Sequence, residues 1–338
     1  VDQTFFNLKY IIHSFDRLKA ESAARLYEET RDLEVLKIYW LANKRKDVQN
    51  PAVMPEMPEV EVVRRQLEAH ILNREIESVE LLHPKITRKN PEFKEALVGD
   101  QFKAVSRIGK LLTFEFKDYH GFMLAHLKMT GQFIFVDENQ KFGGGHSLTE
   151  SDFELPHKHT RVIFHFKDGS NLYFNDMRLF GYLQLVAPDE KESIWNGYGI
   201  EPGRPNYTWE NFEPLFNKRK TTLKALLLNQ KVISGLGNIY VDEACFRSGV
   251  LPFREVPTLT QLEKKELFKH GSEVMMESIK RGGTTFYSFL TADGKKGNFS
   301  DELEVFDRAG QPCYKCGNII SKIKHAGRGT HFCSTCQK

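Results

Sequence analysis

The chain has 338 residues, of which 28% are charged, and a formal net charge of +3. That length exceeds one ordinary core, so two or three domains are expected, while so mild a balance does not select nucleic acid over other partners. No apolar run approaches the ~20 residues that span a bilayer, and the first residues lack the charged-then-apolar order of a secretory signal, so the expectation is a soluble cytoplasmic protein without membrane attachment.

Residues 1–54 read as a helical extension, with Phe5, Leu8, Ile11 and Ile12 near helical spacing, and Gln49-Asn50-Pro51-Ala52 ends the pattern. A helix is expected from Glu59 to about Leu72. Short β-type runs follow to about Leu185, among them Leu112–Phe116 and Val162–Phe166, with turn signals such as Asp168-Gly169. A two-layer β-sandwich with flanking helices over residues 55–185 accounts for them. From 186 to 300 the pattern turns helical, with apolar stretches at Leu223–Leu228 and Leu259–Ile279, and residues 301–338 form a cysteine module. The class is α+β multidomain. No heptad seam is apparent, so a monomer is expected.

Four of the five cysteines stand as Cys313-x-x-Cys316 and Cys333-x-x-Cys336, with residues 317–332 between the pairs. Two tight turns at this spacing present four thiolates to one tetrahedral Zn²⁺, and a site with four protein ligands is structural. The remaining cysteine, Cys245, reads as a small buried apolar residue. From Asp307 onward, Arg308, Lys315, Lys322, Lys324, Arg328 and Lys338 face a single acid, Asp307, which suits a polyanion. The turn Gly235-Leu-Gly237-Asn238-Ile-Tyr240 suits close backbone approach and a helix start that favours anions. Lys218, Arg219, Lys220 and Lys224 add a cation cluster beside it.

Met54-Pro55-Glu56-Met57-Pro58-Glu59-Val60-Glu61 resembles the amino-terminal signature of the formamidopyrimidine-DNA glycosylase family (MutM type). The likeness runs on through His126-Leu-Lys-Met129-Thr-Gly131, Asp176-Met-Arg178-Leu-Phe180-Gly181, the Gly235 turn, Arg281-Gly-Gly-Thr284-Thr285 and the four cysteines. It implies a β-sandwich, a helix–two-turns–helix domain and a four-cysteine zinc finger around duplex DNA that carries oxidised bases or abasic sites, with one structural Zn²⁺ as the sole cofactor.

The resemblance also implies roles. Pro55 becomes the terminal secondary amine that attacks C1′ and forms an iminium, Glu56 the proton shuttle and Lys110, on a predicted β-turn, a second essential amine. A terminal amine titrates near pH 7.7–8.0 against about 10.4 for lysine, so more of it is neutral and nucleophilic. Met129, Arg178 and Phe180 would fill the gap left by an extruded nucleotide. Glu59 and Glu243 match positions near the pocket, and Glu59 could equally be a helix-start acid. His159, Lys220, Asn238 and Arg328 match DNA contacts. The segment Phe286–Phe299, with Asp293-Gly294-Lys295-Lys296-Gly297, matches the cover over an extruded 8-oxoguanine and favours oxidised purines over the pyrimidines of the Nei-type branch.

Two departures carry expectations of their own. An internal Pro55 has an acylated nitrogen that cannot attack a sugar, so the functional start is expected at Met54, with removal of that residue. Residues 1–53 would then arise from an extended reading frame or be cleaved; if retained, they would leave a non-catalytic binder of damaged DNA. Lys128 stands beside Met129 where many relatives have a small residue, a difference expected to alter DNA contacts.

Overall fold

The computed structural model describes residues 54–145, 154–284 and 299–338. The helical expectation for residues 1–53 lies outside them, as does the cover segment apart from Phe299. Helix α1 (Met57–Ile71) starts with Pro58 in its first turn, and Met57, Val60, Val63, Leu67 and Ile71 recur on its buried face.

Nine strands follow: β1 (Ile76–Leu81), β2 (Phe102–Ile108), β3 (Leu111–Phe116), β4 (Phe122–His126), β5 (Gly131–Val136), β6 (Lys141–Gly145), β7 (Thr160–Phe166), β8 (Asn171–Asp176) and β9 (Tyr182–Val186). They pair antiparallel into a four-stranded sheet ordered β2-β3-β4-β9 and a five-stranded sheet ordered β1-β7-β8-β5-β6. Phenylalanines fill the sandwich: Phe114 and Phe174 lie on either side of Phe133, with ring centroids 5.6 and 5.0 Å away. The β-sandwich expectation is met, and α1 packs against β2 and β6.

Helices α2 (Pro188–Asn196), α3 (Trp209–Phe212), α4 (Leu223–Leu227), α5 (Asn238–Arg247) and α6 (Gln261–Lys280) make up the next part. The longest, α6, starts in a capping box in which Thr260 and Glu263 satisfy each other's backbone N–H. A second core gathers Leu223, Ile233, Leu236, Ile239, Tyr240 and Met275, and Met57 of α1 belongs to it rather than to the sandwich. The start of α1 is therefore held between two cores. Strands β10 (Ser321–His325) and β11 (Arg328–Phe332) form the terminal hairpin, and Phe246 of α5 joins its small core with Val305, Ile320, Cys313 and Cys333. Among the described residues no helix is long and apolar enough to cross a membrane.

Candidate active site and nucleic-acid interface

Pro55 and Glu56 lie buried at the entry to α1. Glu56 faces the start of α5: its Oε1 accepts from the Ile239 N–H at 3.2 Å, while Oε2 has no hydrogen-bond partner among the described residues. Gly237 is required by this approach, because a Cβ there would sit 2.2–2.5 Å from the Glu56 carboxyl group. The sequence reads this turn as a helix start that favours anions, and the acidic group it receives here is the protein's own Glu56 carboxyl. Burial pushes Glu56 up to about 7, against the opposing pull of Lys110 and two backbone N–H groups.

Lys110 occupies the expected β-turn, since Ile108 pairs with Leu111 across a two-residue connection. Gly109 supplies its left-handed first position, φ +53°, and a Cβ there would meet Ser234 Oγ at 2.5 Å. The turn is tethered from the helical side. Glu201, 1% exposed, accepts from the Gly109 N–H, from Arg107 at 2.7 Å and from Arg204 at 2.8 Å. Arg107 also donates to Glu61 of α1 at 2.7 Å, and its charge helps to hold that carboxyl near pKa 2. Lys110 itself is buried, which lowers its pKa, while Glu56 and Glu59 favour its charged form. Sequence reasoning missed Arg107, Glu61 and Glu201, because no local spacing links them.

Glu59 acts as a helix-start acid and reaches beyond its own helix. Oε2 caps the Glu56 N–H at 2.8 Å; Oε1 accepts from the Tyr240 hydroxyl, the Thr284 N–H and the Thr284 hydroxyl. It thus anchors the Gly-Gly-Thr run to α1. Glu243 is differently occupied. Its carboxylate, fully buried, accepts from the N–H groups of Glu304, Val305 and Phe306 at 2.9, 2.9 and 2.8 Å, so it clamps the approach to the cysteine module.

The three expected gap-filling residues project from two adjoining loops, and Arg178 Nη1 lies 3.0 Å from Met129 Sδ. The buried Asp176 carboxylate staples these loops, accepting from the Thr130 hydroxyl and from the N–H groups of Arg178 and Gly181. Leu179, at φ +57°, packs on the sandwich core. Its neighbour Phe180 is left 57% exposed, and Met177 56%. His159 is half-buried beside Arg161.

Lys220 is exposed with Lys218 and Arg219, whereas Lys224 does not belong to that cation cluster. It is 0% exposed and pairs with Asp242 at 2.6 Å, whose other oxygen accepts the His331 N–H of β11 at 2.8 Å. A burial of this depth cannot be read from a run of basic residues. Lys224 and Asn238 both donate to the Gly329 carbonyl, at 3.2 and 3.1 Å, which fixes the hairpin beside exposed Arg328. Arg328 reaches the field of Lys110. Arg308, another expected solvent cation, is 7% exposed, donates to the Glu304 and Pro312 carbonyls and stacks on Tyr314.

Three family descriptions cover this architecture in order: the formamidopyrimidine-DNA glycosylase N-terminal domain at residues 54–183, its H2TH domain at 198–289 and a zinc finger found in FPG and IleRS at 310–338. Curated relatives agree. Formamidopyrimidine-DNA glycosylase from Listeria innocua is 38% identical over 290 residues, 84% of this chain and 100% of the relative. The chain belongs to the formamidopyrimidine-DNA glycosylase family. The Lactobacillus delbrueckii glycosylase is likewise 38% identical over 288 residues. Among solved structures, Lactococcus lactis Fpg in complex with abasic-site DNA superposes with a TM-score of 0.71 at 33% identity, covering 84% of this chain and all of that one. The same Lactococcus protein bound to DNA containing an oxidised pyrimidine gives 0.73 at 32%.

As a member of the formamidopyrimidine-DNA glycosylase family, this is a DNA-repair glycosylase with a zinc finger. The finger's four sulfurs lie within 4.8 Å of one another. The Cys313–Cys336 and Cys316–Cys333 separations are 3.9 and 3.5 Å; a tetrahedral Zn²⁺ with bonds of about 2.3 Å requires roughly 3.8 Å between sulfurs. The donors fit one structural zinc. Cys245 is fully buried, as its reading required.

Proposed function

We propose that this chain, with its amino terminus at Pro55, excises oxidised purines, 8-oxoguanine and formamidopyrimidines, from duplex DNA and then cuts the backbone by β,δ-elimination. The observation that carries the reading is the buried Glu56 carboxyl: directly after Pro55, close to Lys110, with one oxygen unpartnered and a pKa of about 7. At that pKa it gives and takes a proton at neutral pH.

The free Pro55 nitrogen bonds to C1′ as the glycosidic bond breaks and its electron pair leaves with the base, which takes up the proton that the nitrogen sheds. Glu56 protonates O4′, so the C1′–O4′ bond opens and the nitrogen lone pair forms the iminium. Loss of a C2′ proton expels the 3′ phosphate, loss of a C4′ proton from the conjugated iminium expels the 5′ phosphate, and water hydrolyses the iminium to free Pro55. Met129, Arg178 and Phe180 fill the duplex where the nucleotide was, while His159, Lys220, Asn238 and Arg328 take phosphates. Glu59 supports the pocket through its hydrogen bonds, and Glu243 clamps the approach to the zinc finger. Zinc holds the Arg328 hairpin. The protein works as a monomer.

While Pro55 remains internal, its amide nitrogen has no free lone pair, so the full chain would bind damaged duplex without reacting. Borohydride trapping on an 8-oxoguanine duplex tests both statements. A chain beginning at Pro55 is expected to become covalently attached and the full chain only to bind. Absence of trapping by both refutes the proline chemistry, and faster trapping on an oxidised-pyrimidine duplex refutes the purine preference.

A further inference from the structure

Lys128 precedes the half-buried Met129 and adopts φ +52°, the left-handed region where a non-glycine residue is uncommon. Glycine would take this position without strain, so the lysine needs another justification. Its main chain is fixed: the Lys128 N–H donates to His126 Nδ1 at 3.0 Å. Burial and the neighbouring charges of Lys128 and Lys110 push that imidazole down to about 3, so it stays neutral and accepting.

Arg88 converges on the same place. It too is left-handed, at φ +53°, and its guanidinium lies 4.1 Å over the Tyr182 ring, which neighbours His126 at 6.0 Å. Neither cation has an acidic partner among the described residues. Lys128 is half-buried, and the charges of Arg88 and Lys110 join burial in lowering its pKa. Like charges held close together repel one another, and an anion between them relieves that repulsion.

We propose that Lys128 and Arg88 form a phosphate-binding pair at the foot of the Met129 turn, taking the DNA backbone beside the nucleotide displaced by the wedge. This rests on duplex DNA being the ligand, but not on the proline chemistry. Tyr182 orients Arg88 by stacking, and His126 fixes the lysine's backbone while adding no charge.

The test uses the zinc-loaded chain beginning at Pro55 and a duplex carrying a reduced abasic-site analogue, which is bound but not cut. Lys128→Gly is expected to weaken binding by about tenfold and to reduce the slope of log affinity against log salt by roughly 0.9. Its melting temperature should be equal or higher, because the backbone strain is gone. Lys128→Gln should show the same loss of slope without the gain in stability, and Arg88→Gln should lose a similar increment. Unchanged affinity and slope in both Lys128 variants would refute the pair, as would a lower melting temperature for Lys128→Gly. Failure of the unsubstituted chain to bind would instead remove the DNA reading itself.

Discussion

The entry to α1 and the seam between α5 and the zinc finger both bury a raised-pKa glutamate and a lysine, Glu56 with Lys110 and Glu243 with Lys224. Both glutamates are pushed up to about 7 by burial. At the seam the glutamate and the lysine are both occupied: three backbone N–H groups fill Glu243, and Lys224 is closed by Asp242 and the Gly329 carbonyl. At α1 one Glu56 oxygen is unpartnered and Lys110 makes no close ion pair among the described residues. Burial and a shifted pKa are common to both regions; incomplete pairing separates a site able to react from one that holds the fold together.

Substitutions can break this contrast. Glu56→Gln should cost the chain beginning at Pro55 about 10²–10⁴-fold in single-turnover excision, with no loss of melting temperature; an equally active variant would place Glu56 among the structural acids. Glu243→Ala should act in the opposite sense. It orphans three main-chain N–H groups, at roughly 1–3 kcal/mol each, and denaturant unfolding should show the loss, together with weaker zinc retention. Lys224→Met leaves Asp242 as an unpaired buried charge and should destabilise by about 3–5 kcal/mol. The same unfolding experiment checks it.

The contrast is sharpened by pH. Between 4.5 and about 7 the folded protein keeps a proton on Glu56 that the unfolded chain has released. Stability therefore falls as pH rises through that window, by up to about 3 kcal/mol. Glu56→Gln removes this term, so unfolding measured from pH 5 to 8 should show the variant gaining steadily on the parent. A constant difference would mean that Glu56 is ionised throughout. The smallest effect is expected from Tyr240→Phe, which removes one of several donors to Glu59 and should cost ~1 kcal/mol in melting experiments.

Legibility in the sequence followed the range of each interaction. The zinc ligands and the Lys110 turn depend on a few neighbouring residues, and their spacing alone showed them. Helix α1 and the sandwich strands were readable because period 3.6 and period 2 reflect a one-sided core. The fate of individual charges was not readable. Lys224 and Lys220 stand in one basic run, yet one is sealed against Asp242 and the other faces solvent. Arg308 looked like a tail cation and is a main-chain brace.

Local chemistry in the sequence thus determined the order of domains and the metal centre, while Met129, Arg178 and Phe180 were singled out by the family resemblance alone. Tertiary structure alone decided that the Gly237 helix start receives Glu56, that Glu201 reaches across to tether the Lys110 turn, and that Lys128 meets Arg88. The physical reason is desolvation. A carboxylate or ammonium is reactive, structural or ligand-seeking according to which distant groups exclude water from it and whether they replace the hydrogen bonds that water supplied.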